Sequence, residues 1–492
     1  MSLPEKVLVA NRGEIAARIM RTLRALEVPS VAVFHALDRE SPAVRDADEA
    51  VELHGDTPVG AYLNAAEIIA AAKDTGATAI HPGFGFLSEN ADFAQAVADA
   101  GITFIGPPPD AIRAMGDKIE SKAIAEKAGM PTVPGSDGAV ADADAALAAA
   151  DSVGYPVLLK ASAGGGGKGM RIARSAEECR EAFDLASSEA LASFGDGRVF
   201  VERYVDRPRH IEVQVLADGH GNVVHLGERE CSIQRRYQKV IEEAPSSFID
   251  PETRAEMGAR AVDLAKAVGY VSAGTIEMVV DGERNFYFLE MNTRLQVEHP
   301  VTELVTGKDI VAEQLRIAAG EELGYDQSAV ELTGHAIECR IYAENPAANF
   351  APETGRLALV HFPAGPGVRV DHGTTEGQEV SASFDPMIAK VIGSGADRED
   401  AIRRSREILR ETVLLGVQTN ADYLERVLAH PAFAAGDTTT SFLDEHAEDL
   451  VAGALSAEEE RLLLAAAALA SPRFDHRFEI PEPLAAMGEW RP

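Results

Sequence analysis

Five polar residues alternate without interruption over one short stretch of the chain. The sequence predicts a β-strand between Phe286 and Leu295, and residues two apart in a strand lie on the same face. The alternating residues are Glu290, Asn292, Arg294, Gln296 and Glu298. Carboxylate and amide oxygens suit Mg²⁺, and arginine binds planar anions through two hydrogen bonds. Any one of these residues alone would be typical of a solvated edge strand, but the five together predict a surface that combines a metal ion, an anion and a base.

A further carboxylate is predicted to face this surface. Thr275–Val279 has the pattern of a strand, and the turn Asp281–Asn285 joins it to the next strand as a hairpin. Glu277 and Glu290 are then expected on neighbouring strands, where a metal ion would offset their repulsion.

Four consecutive glycines, Gly164–Gly167, lie between Lys160 and Lys168. Without Cβ atoms, their N–H groups can fold closely around phosphate oxygens. Glycine runs are often flexible linkers. Here, however, the flanking sequences YPVLLK and MRIA predict the two strands of one hairpin, which favours a mobile loop that covers phosphates. The run lacks the G-x-x-x-x-G-K-[ST] spacing of a P-loop.

Two other segments are candidates for the site. Arg235, Arg236 and Lys239 place three cations within five positions of an acidic chain, which predicts an anion site. The loop His81–Asn90 follows a predicted parallel strand and ends in polar residues, and such loops often line a site.

Composition excludes several functional classes. A length of 492 residues predicts about three domains. The formal net charge of −33 disfavours binding to nucleic acid or anionic membranes. The sequence has neither a long uncharged apolar stretch nor the pattern of a signal peptide, so it predicts a cytoplasmic protein without a membrane span. Its three cysteines are widely spaced and lack histidines at metal spacing, which indicates neither disulfides nor zinc.

The order of strand and helix patterns predicts the fold class, α/β combined with α+β. Strands and helices alternate near the N-terminus, which predicts a parallel α/β domain. Its first turn reads ANRGEIA, so a dinucleotide-binding G-x-G-x-x-G fold is disfavoured. An antiparallel sheet covered by helices is predicted near the C-terminus. The predicted domains are residues 1–116, residues 117–330 with a lid at about 133–204, residues 331–448, and an extension or truncated linker at 449–492.

The chain resembles the biotin carboxylase subunit or domain of biotin-dependent acyl-CoA carboxylases, which are ATP-grasp enzymes, over about residues 4–446. The motifs that carry the resemblance are ANRGEIA, HPGFGFLSEN, MGDK, KASAGGGGKGM, RPRHIEVQVL, ERECSIQRR, QKVIEEAP, EMNTRLQVEHPVTE, GHAIECRIYAE and FDPMIAK. The resemblance implies a three-part ATP-grasp fold with a mobile glycine-rich lid. It also implies that ATP and bicarbonate give carboxyphosphate, whose carboxyl group passes to N1 of biotin.

Residue roles follow from the same motifs, as implications of the resemblance. ATP would be bound by Lys118, Lys160, Gly166, Gly167, Glu202, His210 and Gln234. Magnesium (or manganese) would be bound by Glu277, Glu290 and Asn292. Bicarbonate would be bound by Lys239, Arg294 and the Val297 backbone. Glu298 would be the base, and Arg340 would stabilise the enolate oxygen of biotin. Two positions depart from the common family pattern, Phe84 and Tyr237.

Partners also follow from the resemblance. The sequence contains no Met-Lys-Met biotin attachment site, so biotin is expected on a separate carrier domain or protein. A carboxyltransferase subunit and a homo-oligomer or larger complex are expected as well. Two alternatives remain open: another ATP-grasp ligase that forms an acyl-phosphate, and a nucleotide-binding regulatory subunit without catalysis.

Overall fold

The computed structural model describes residues 3–162, 169–451 and 457–470. The chain divides into one compact unit up to Leu450 and a second unit from Val451 onward. All the elements and residues of the site described below lie in the first unit. Gly166 and Gly167 of the predicted phosphate loop lie outside the described residues.

A parallel sheet forms the N-terminal part of the first unit. Its elements are β1 (Val7–Val9), α1 (Gly13–Ala25), β2 (Ser30–Phe34), α2 (Pro42–Asp46), β3 (Glu49–Glu52), α3 (Pro58–Tyr62), α4 (Ala65–Thr75), β4 (Ala79–His81), α5 (Ala91–Asp99), β5 (Thr103–Phe104) and α6 (Pro109–Gly116). The strand order is β3-β2-β1-β4-β5, with every pairing parallel. Strands β1 and β2 are buried along their whole length and apolar except for Ser30, as parallel strands usually are. The predicted parallel α/β arrangement is confirmed.

A small antiparallel sheet follows in the region predicted to be the lid. After α7 (Lys118–Lys127), which precedes that region, the elements are α8 (Ala143–Val153), β6 (Val157–Ala161), β7 (Met170–Ala173), α9 (Ala176–Phe194) and β8 (Val199–Arg203). Strand β6 pairs with both β7 and β8, and Lys160 lies opposite Met170. The flanks of the glycine run are therefore two strands of one hairpin, as the sequence predicts.

One eight-stranded sheet contains most of the remaining strands. The elements up to residue 318 are β9 (Arg209–Ala217), β10 (Val223–Arg235), β11 (Gln238–Ala244), α10 (Pro251–Ala267), β12 (Ser272–Val280), β13 (Phe286–Asn292), α11 (His299–Thr306) and α12 (Ile310–Ala318). Those that follow are β14 (His335–Tyr342), β15 (Glu344–Asn345), β16 (Ala351–Pro352), β17 (Gly355–Arg356), β18 (Leu359–His361), β19 (Val368–His372), β20 (Glu379–Val380), β21 (Met387–Gly395), α13 (Arg398–Glu411), β22 (Val413–Leu415), α14 (Ala421–Ala429), α15 (Pro431–Ala434), α16 (Phe442–Glu445) and, in the second unit, α17 (Ala457–Ala470).

The large sheet has the order β13-β12-β9-β10-β11-β14-β21-β19, and all its pairings are antiparallel. Strands from residues 209–292 and from 335–395 therefore share one sheet across the predicted boundary at residue 330. Side chains on β11, β12, β13 and β14 can consequently meet on one continuous surface. The boundaries themselves remain predictions.

Helix α11, which begins directly after Glu298, is held by buried ion pairs. Arg18 of α1 lies 2.9 Å from both Glu303 of α11 and Asp309, and Arg369 of β19 lies 2.7 Å from Glu303. Breaking such a buried pair leaves an uncompensated charge, which costs about 3–5 kcal/mol. The network therefore anchors α11, the helix that begins directly after Glu298, against α1 and β19.

The neutral form of His81, at the end of β4, should make stability depend on pH. The ring is fully buried, its Nδ1 accepts a bond from Gly83 N at 3.0 Å, and burial lowers its pKa to about 4. The unfolded chain protonates histidine near pH 6.5, so stability falls as the pH drops from about 6.5 to about 4. His81→Asn keeps an acceptor for Gly83 but cannot titrate there. Relative to this variant, the wild type should lose up to about 3 kcal/mol over that range, measured by denaturation at several pH values. If the free energy of unfolding changed with pH in the same way in the wild type and in His81→Asn, the prediction would be wrong.

No helix among the described residues is long and apolar enough to cross a membrane.

Candidate active site

The hairpin of β12 and β13 forms the base of the candidate site. Glu277 lies directly opposite Glu290, as the sequence predicts. The strand predicted to reach Leu295 ends at Asn292, however, because the next N–H, that of Thr293, donates to Glu89 Oε1 at 3.0 Å rather than to a neighbouring strand. Arg294, Gln296 and Glu298 consequently lie in the loop that leads to α11.

Lys239 of β11 lies at the centre of a group of carboxylates. Its Nζ is 2.5 Å from Glu212, 2.9 Å from Glu277 and 2.6 Å from Glu298. Burial by itself would lower the pKa of Lys239, but these three carboxylates outweigh burial and raise the pKa well above its usual value. The lysine is therefore a permanent cation, suited to bind an anion rather than to transfer a proton.

Glu298 is a fully buried carboxylate between two cations. Besides Lys239, it accepts a bond from Arg340 at 2.9 Å. Burial by itself would raise the pKa of Glu298. The charges of Lys239, Arg340 and Arg229 have the larger combined effect and lower the pKa well below its usual range. Glu298 is therefore ionised and ready to accept a proton, although its proton affinity is low while both cations remain in contact.

Arg340 of β14 bridges Glu298 to a second carboxylate. Its guanidinium lies 2.5 Å from Glu242, which is opposite Glu338 on the neighbouring strand. Burial raises the pKa of Glu242 to about 7 despite the opposing effect of Arg340, and burial also raises the pKa of Glu338. Glu242 can thus take up a proton near neutral pH, so it need not be left as an unpaired charge when the guanidinium turns toward a substrate.

The predicted metal ligands lie together. Asn292 Nδ2 donates to Glu277 Oε1 at 2.9 Å, and Glu290 faces Glu277 across the strands. Burial and the charge of Glu277 raise the pKa of Glu290. Two carboxylates and an amide oxygen are ligands that suit Mg²⁺ or Mn²⁺, and such an ion would offset the repulsion between the two carboxylates. Glu277, Glu290 and Asn292 therefore fit the predicted ion.

The residues assigned to ATP form two groups. The first group is Lys160 and Glu202, which lie 2.6 Å apart, and Lys122, which was not assigned to ATP, lies 3.1 Å from the same glutamate. The second group is closer to the metal ligands and contains Lys118, 4.0 Å from Glu290, and His210, 3.0 Å from Glu277 and 2.9 Å from Gln234. The structure thus places lysines beside both the lid strands and the metal ligands.

The two remaining bicarbonate assignments, Arg294 and Val297, are held by other residues. Arg294 donates to Glu89 at 3.0 Å, to Gln296 at 2.9 Å and to Asn292 at 3.1 Å. Lys390 of β21, which is fully buried, donates to the Val297 carbonyl at 2.7 Å. The Arg294 side chain and the Val297 peptide of the predicted anion site are therefore both fixed in place by contacts within the protein.

Glu89, Glu212 and Lys390 are among the residues at the site that were not assigned a role from the sequence. Glu89 is the second-last residue of the loop that the sequence did associate with a site, Glu212 shares a strand face with His210, and Lys390 is the last residue of the motif FDPMIAK. Their partners are 205, 27 and 93 positions away in the chain, in the contacts with Arg294, Lys239 and Val297. Residue pattern marked the segments, but no local signal identified these contacts.

The predicted cation cluster is only partly at the site. The guanidinium of Arg235 pairs with Glu344 and packs on the ring of Phe350, and Arg236 donates to Asn349 at 2.9 Å. Side chains of adjacent residues in the β10–β11 hairpin point in different directions. Of the three predicted cations, only Lys239 therefore reaches Glu212, Glu277 and Glu298. Tyr237 at the hairpin tip is exposed.

Comparison with known proteins agrees with this geometry. Family models match the biotin carboxylase N-terminal domain at residues 4–112, the ATP-binding domain of the carbamoyl-phosphate synthase L chain at 117–325, and the biotin carboxylase C-terminal domain at 338–445. The propionyl-CoA carboxylase alpha chain of Ruegeria pomeroyi is 50% identical over 95% of this chain and 72% of its own length. The biotin carboxylase of Halalkalibacterium halodurans is 52% identical over 90% of this chain and 98% of its own length.

Solved structures give the same result. The biotin carboxylase domain of Hydrogenobacter thermophilus 2-oxoglutarate carboxylase, crystallised as a dimer with MgADP, ADP and bicarbonate, matches with a TM-score of 0.89 at 47% identity, over 92% of this chain and all of that one. The fold and site define an ATP-grasp ligase. The chain belongs to the biotin carboxylase family, and it carboxylates biotin with ATP and bicarbonate as a component of an acyl-CoA carboxylase. The prediction made from the sequence motifs is confirmed.

Proposed function

We propose that Glu298 is the base that deprotonates bicarbonate, with Lys239, Arg294 and the Val297 N–H holding the anion. The observation that carries this proposal is the buried Glu298 carboxylate between Lys239 at 2.6 Å and Arg340 at 2.9 Å. A bound bicarbonate shares the charge of Lys239, which weakens the hold of this lysine on Glu298. The proton affinity of Glu298 then rises when the proton donor arrives.

The deprotonated bicarbonate then attacks the γ-phosphate of ATP. An O–P bond forms, the bond to ADP breaks, and the product is carboxyphosphate. Lys118 and Lys160 bind the nucleotide, with Glu202 orienting Lys160, and His210 and Gln234 complete the nucleotide site. Glu277, Glu290 and Asn292 would hold magnesium, which would offset the negative charge of the phosphates.

The second half-reaction carries the carboxyl group to biotin. The C–O bond of carboxyphosphate breaks, the leaving phosphate takes up the proton that N1 of biotin loses, and N1 gains the carboxyl group. Arg340 turns from Glu242 and Glu298 to the ureido oxygen of biotin, where negative charge develops. The raised pKa of Glu242 supports this role, because that carboxylate can be protonated when the arginine leaves.

The acyl acceptor is chosen elsewhere. The Ruegeria pomeroyi relative is a propionyl-CoA carboxylase chain, and the Hydrogenobacter thermophilus domain belongs to a 2-oxoglutarate carboxylase. Although these two enzymes differ in name, they are similarly close to this chain, at 50% and 47% identity respectively. The residues of this site serve ATP, bicarbonate and biotin. We therefore assign the choice of acyl-CoA to a carboxyltransferase partner.

A biotinylated carrier and a second copy of the chain are the other proposed partners. The Hydrogenobacter thermophilus domain forms a dimer. The cytoplasmic location predicted from the sequence remains a prediction.

Adding a biotinylated carrier domain in trans should raise the rate far above that given by free biotin at equal concentration. Free biotin must lose its own translational freedom, whereas a docked carrier raises the effective concentration to roughly millimolar. The measurement is transfer of labelled bicarbonate to biotin, alongside bicarbonate-dependent release of ADP. ATP cleavage that requires an amine acceptor would instead support a different ATP-grasp ligase, and no cleavage would support a regulatory subunit.

A further inference from the structure

The peptide unit before Val297 is held by a histidine that has no assigned role. His299 is the first residue of α11, its ring is fully buried, and its Nδ1 lies 2.7 Å from the Gln296 carbonyl oxygen. A carbonyl oxygen only accepts hydrogen bonds, so Nδ1 must carry the proton and donate it. This bond, with a longer one of 3.4 Å from the His299 backbone N–H to the same oxygen, fixes the orientation of the Gln296–Val297 peptide.

The direction of the Val297 N–H follows from peptide geometry. Among the described residues the cis bonds are Tyr155–Pro156 and Ala244–Pro245, so the Gln296–Val297 bond is trans. In a trans peptide the C=O and N–H groups point in opposite directions. The Val297 N–H therefore points away from the His299 ring.

The following peptide is held from a second direction. The Val297 carbonyl accepts the bond from Lys390, whose Nζ also lies 3.2 Å from Glu14 of α1. His299 on α11 thus donates to the Gln296 carbonyl and Lys390 on β21 to the Val297 carbonyl, on either side of the Val297 Cα. With both peptide planes fixed, the N–H between them has one direction.

The imidazole is held in one neutral tautomer. Burial lowers the pKa of His299, and Lys390, Arg18 and Arg369 lower it further. Its Nε2 accepts no hydrogen bond from the described residues and lies 3.9 Å from Glu303. The ring therefore contributes one directed hydrogen bond, the one to Gln296.

We propose that His299 is a positioning residue that aims the Val297 N–H at the bicarbonate anion. The proposal rests on the bicarbonate site of the proposed function. Arg294 and Lys239 supply charge to that site, while an N–H held in advance supplies a fixed direction that does not have to be ordered on binding. Loss of the bond from His299 should affect bicarbonate and leave ATP binding unchanged.

Two substitutions separate positioning from packing. In His299→Asn the side-chain amide nitrogen takes the place of Nδ1, so the bond to Gln296 is kept while part of the ring volume is lost. In His299→Gln more of the volume is filled, but the amide nitrogen lies near the place of Nε2 and the bond is lost. Stability and bicarbonate binding should therefore change in opposite order in the two variants.

The measurements are the KM values for bicarbonate and ATP in ADP release without biotin, and the Tm. His299→Asn should have the lower Tm and a bicarbonate KM within about twofold of wild type, while His299→Gln should raise that KM about tenfold with the ATP KM unchanged. A bicarbonate KM that follows the loss of Tm in both variants, or that changes in neither, would overturn the proposal. If His299→Gln does not fold, His299→Asn decides alone: a tenfold rise overturns the proposal and a near-normal KM supports it.

The wild type tests the underlying function separately. If wild-type ADP release does not depend on bicarbonate, the proposed function fails before any variant is compared. If it does, the two variants judge only the role of His299.

Discussion

Glu298→Gln is expected to reduce bicarbonate-dependent ATP cleavage by about 100-fold or more, the usual contribution of a general base. The amide keeps the shape of the side chain but cannot accept the proton. ATP affinity should stay close to wild type, because the residues assigned to the nucleotide are Lys118, Lys160, Glu202, His210 and Gln234. Lys239 keeps Glu212 and Glu277 as partners, so the fold should tolerate the lost charge. The measurements are kcat for ADP release and the Kd of ATP.

Glu242→Gln is the matched control for this change. It also neutralises a fully buried carboxylate in contact with Arg340, but Glu242 is not the proposed proton acceptor. ATP cleavage should therefore fall far less than in Glu298→Gln. Equal losses in the two variants, or a parallel loss of ATP affinity in Glu298→Gln, would contradict the role of Glu298 as base.

Arg340→Ala is expected to separate the two half-reactions. Carboxylation of biotin should fall by about 100-fold or more, the scale for losing a donor to developing negative charge. Bicarbonate-dependent ADP release should be largely kept, because Glu298 retains its contact with Lys239. The unpaired Glu242 can be protonated, since its pKa is already raised to about 7. ADP release without biotin measures the first half-reaction, and transfer of label from bicarbonate to a biotinylated carrier measures the second.

Arg398→Ala serves as the control for Arg340→Ala. Arg398 pairs at 2.7 Å with Glu243, a buried glutamate of β11 next to Glu242, but has no proposed substrate contact. This variant should lower the Tm and leave the ratio of carboxylation to ADP release unchanged. If both half-reactions fall together in Arg340→Ala, the arginine does not act on the biotin step alone.

Local pattern was enough to predict the hairpin at the base of the site. Alternation with a period of two and the turn at Asp281–Asn285 specify β12 and β13 as neighbours, and a register shift between Glu277 and Met278 brings Glu277 opposite Glu290. The parallel N-terminal sheet and the hairpin that flanks the glycine run were predictable for the same reason. In each case the interaction joins residues close in sequence, or a regular order of elements.

Local pattern failed where a contact from a distant segment competes with it. Alternation alone extends β13 to Leu295, but the bond from Thr293 N to Glu89 ends the strand at Asn292. Charge clustering groups Arg235 with Lys239, yet Glu344 draws the guanidinium away. Neither Glu89 nor Glu344 can be connected to these positions by spacing, because each is more than 100 positions away.

The sequence by itself determined the family, the chemistry of the side chains and the β12–β13 hairpin, because residue type and short-range spacing contain that information. Only the tertiary structure decided how the charges are shared. The antiparallel packing of β9, β11, β12 and β14 in one sheet, together with the start of α11, gathers three carboxylates around Lys239 and places Glu298 between that lysine and Arg340. The proton affinity of the base depends on these distances and on burial, and both arise when segments far apart in the chain pack together.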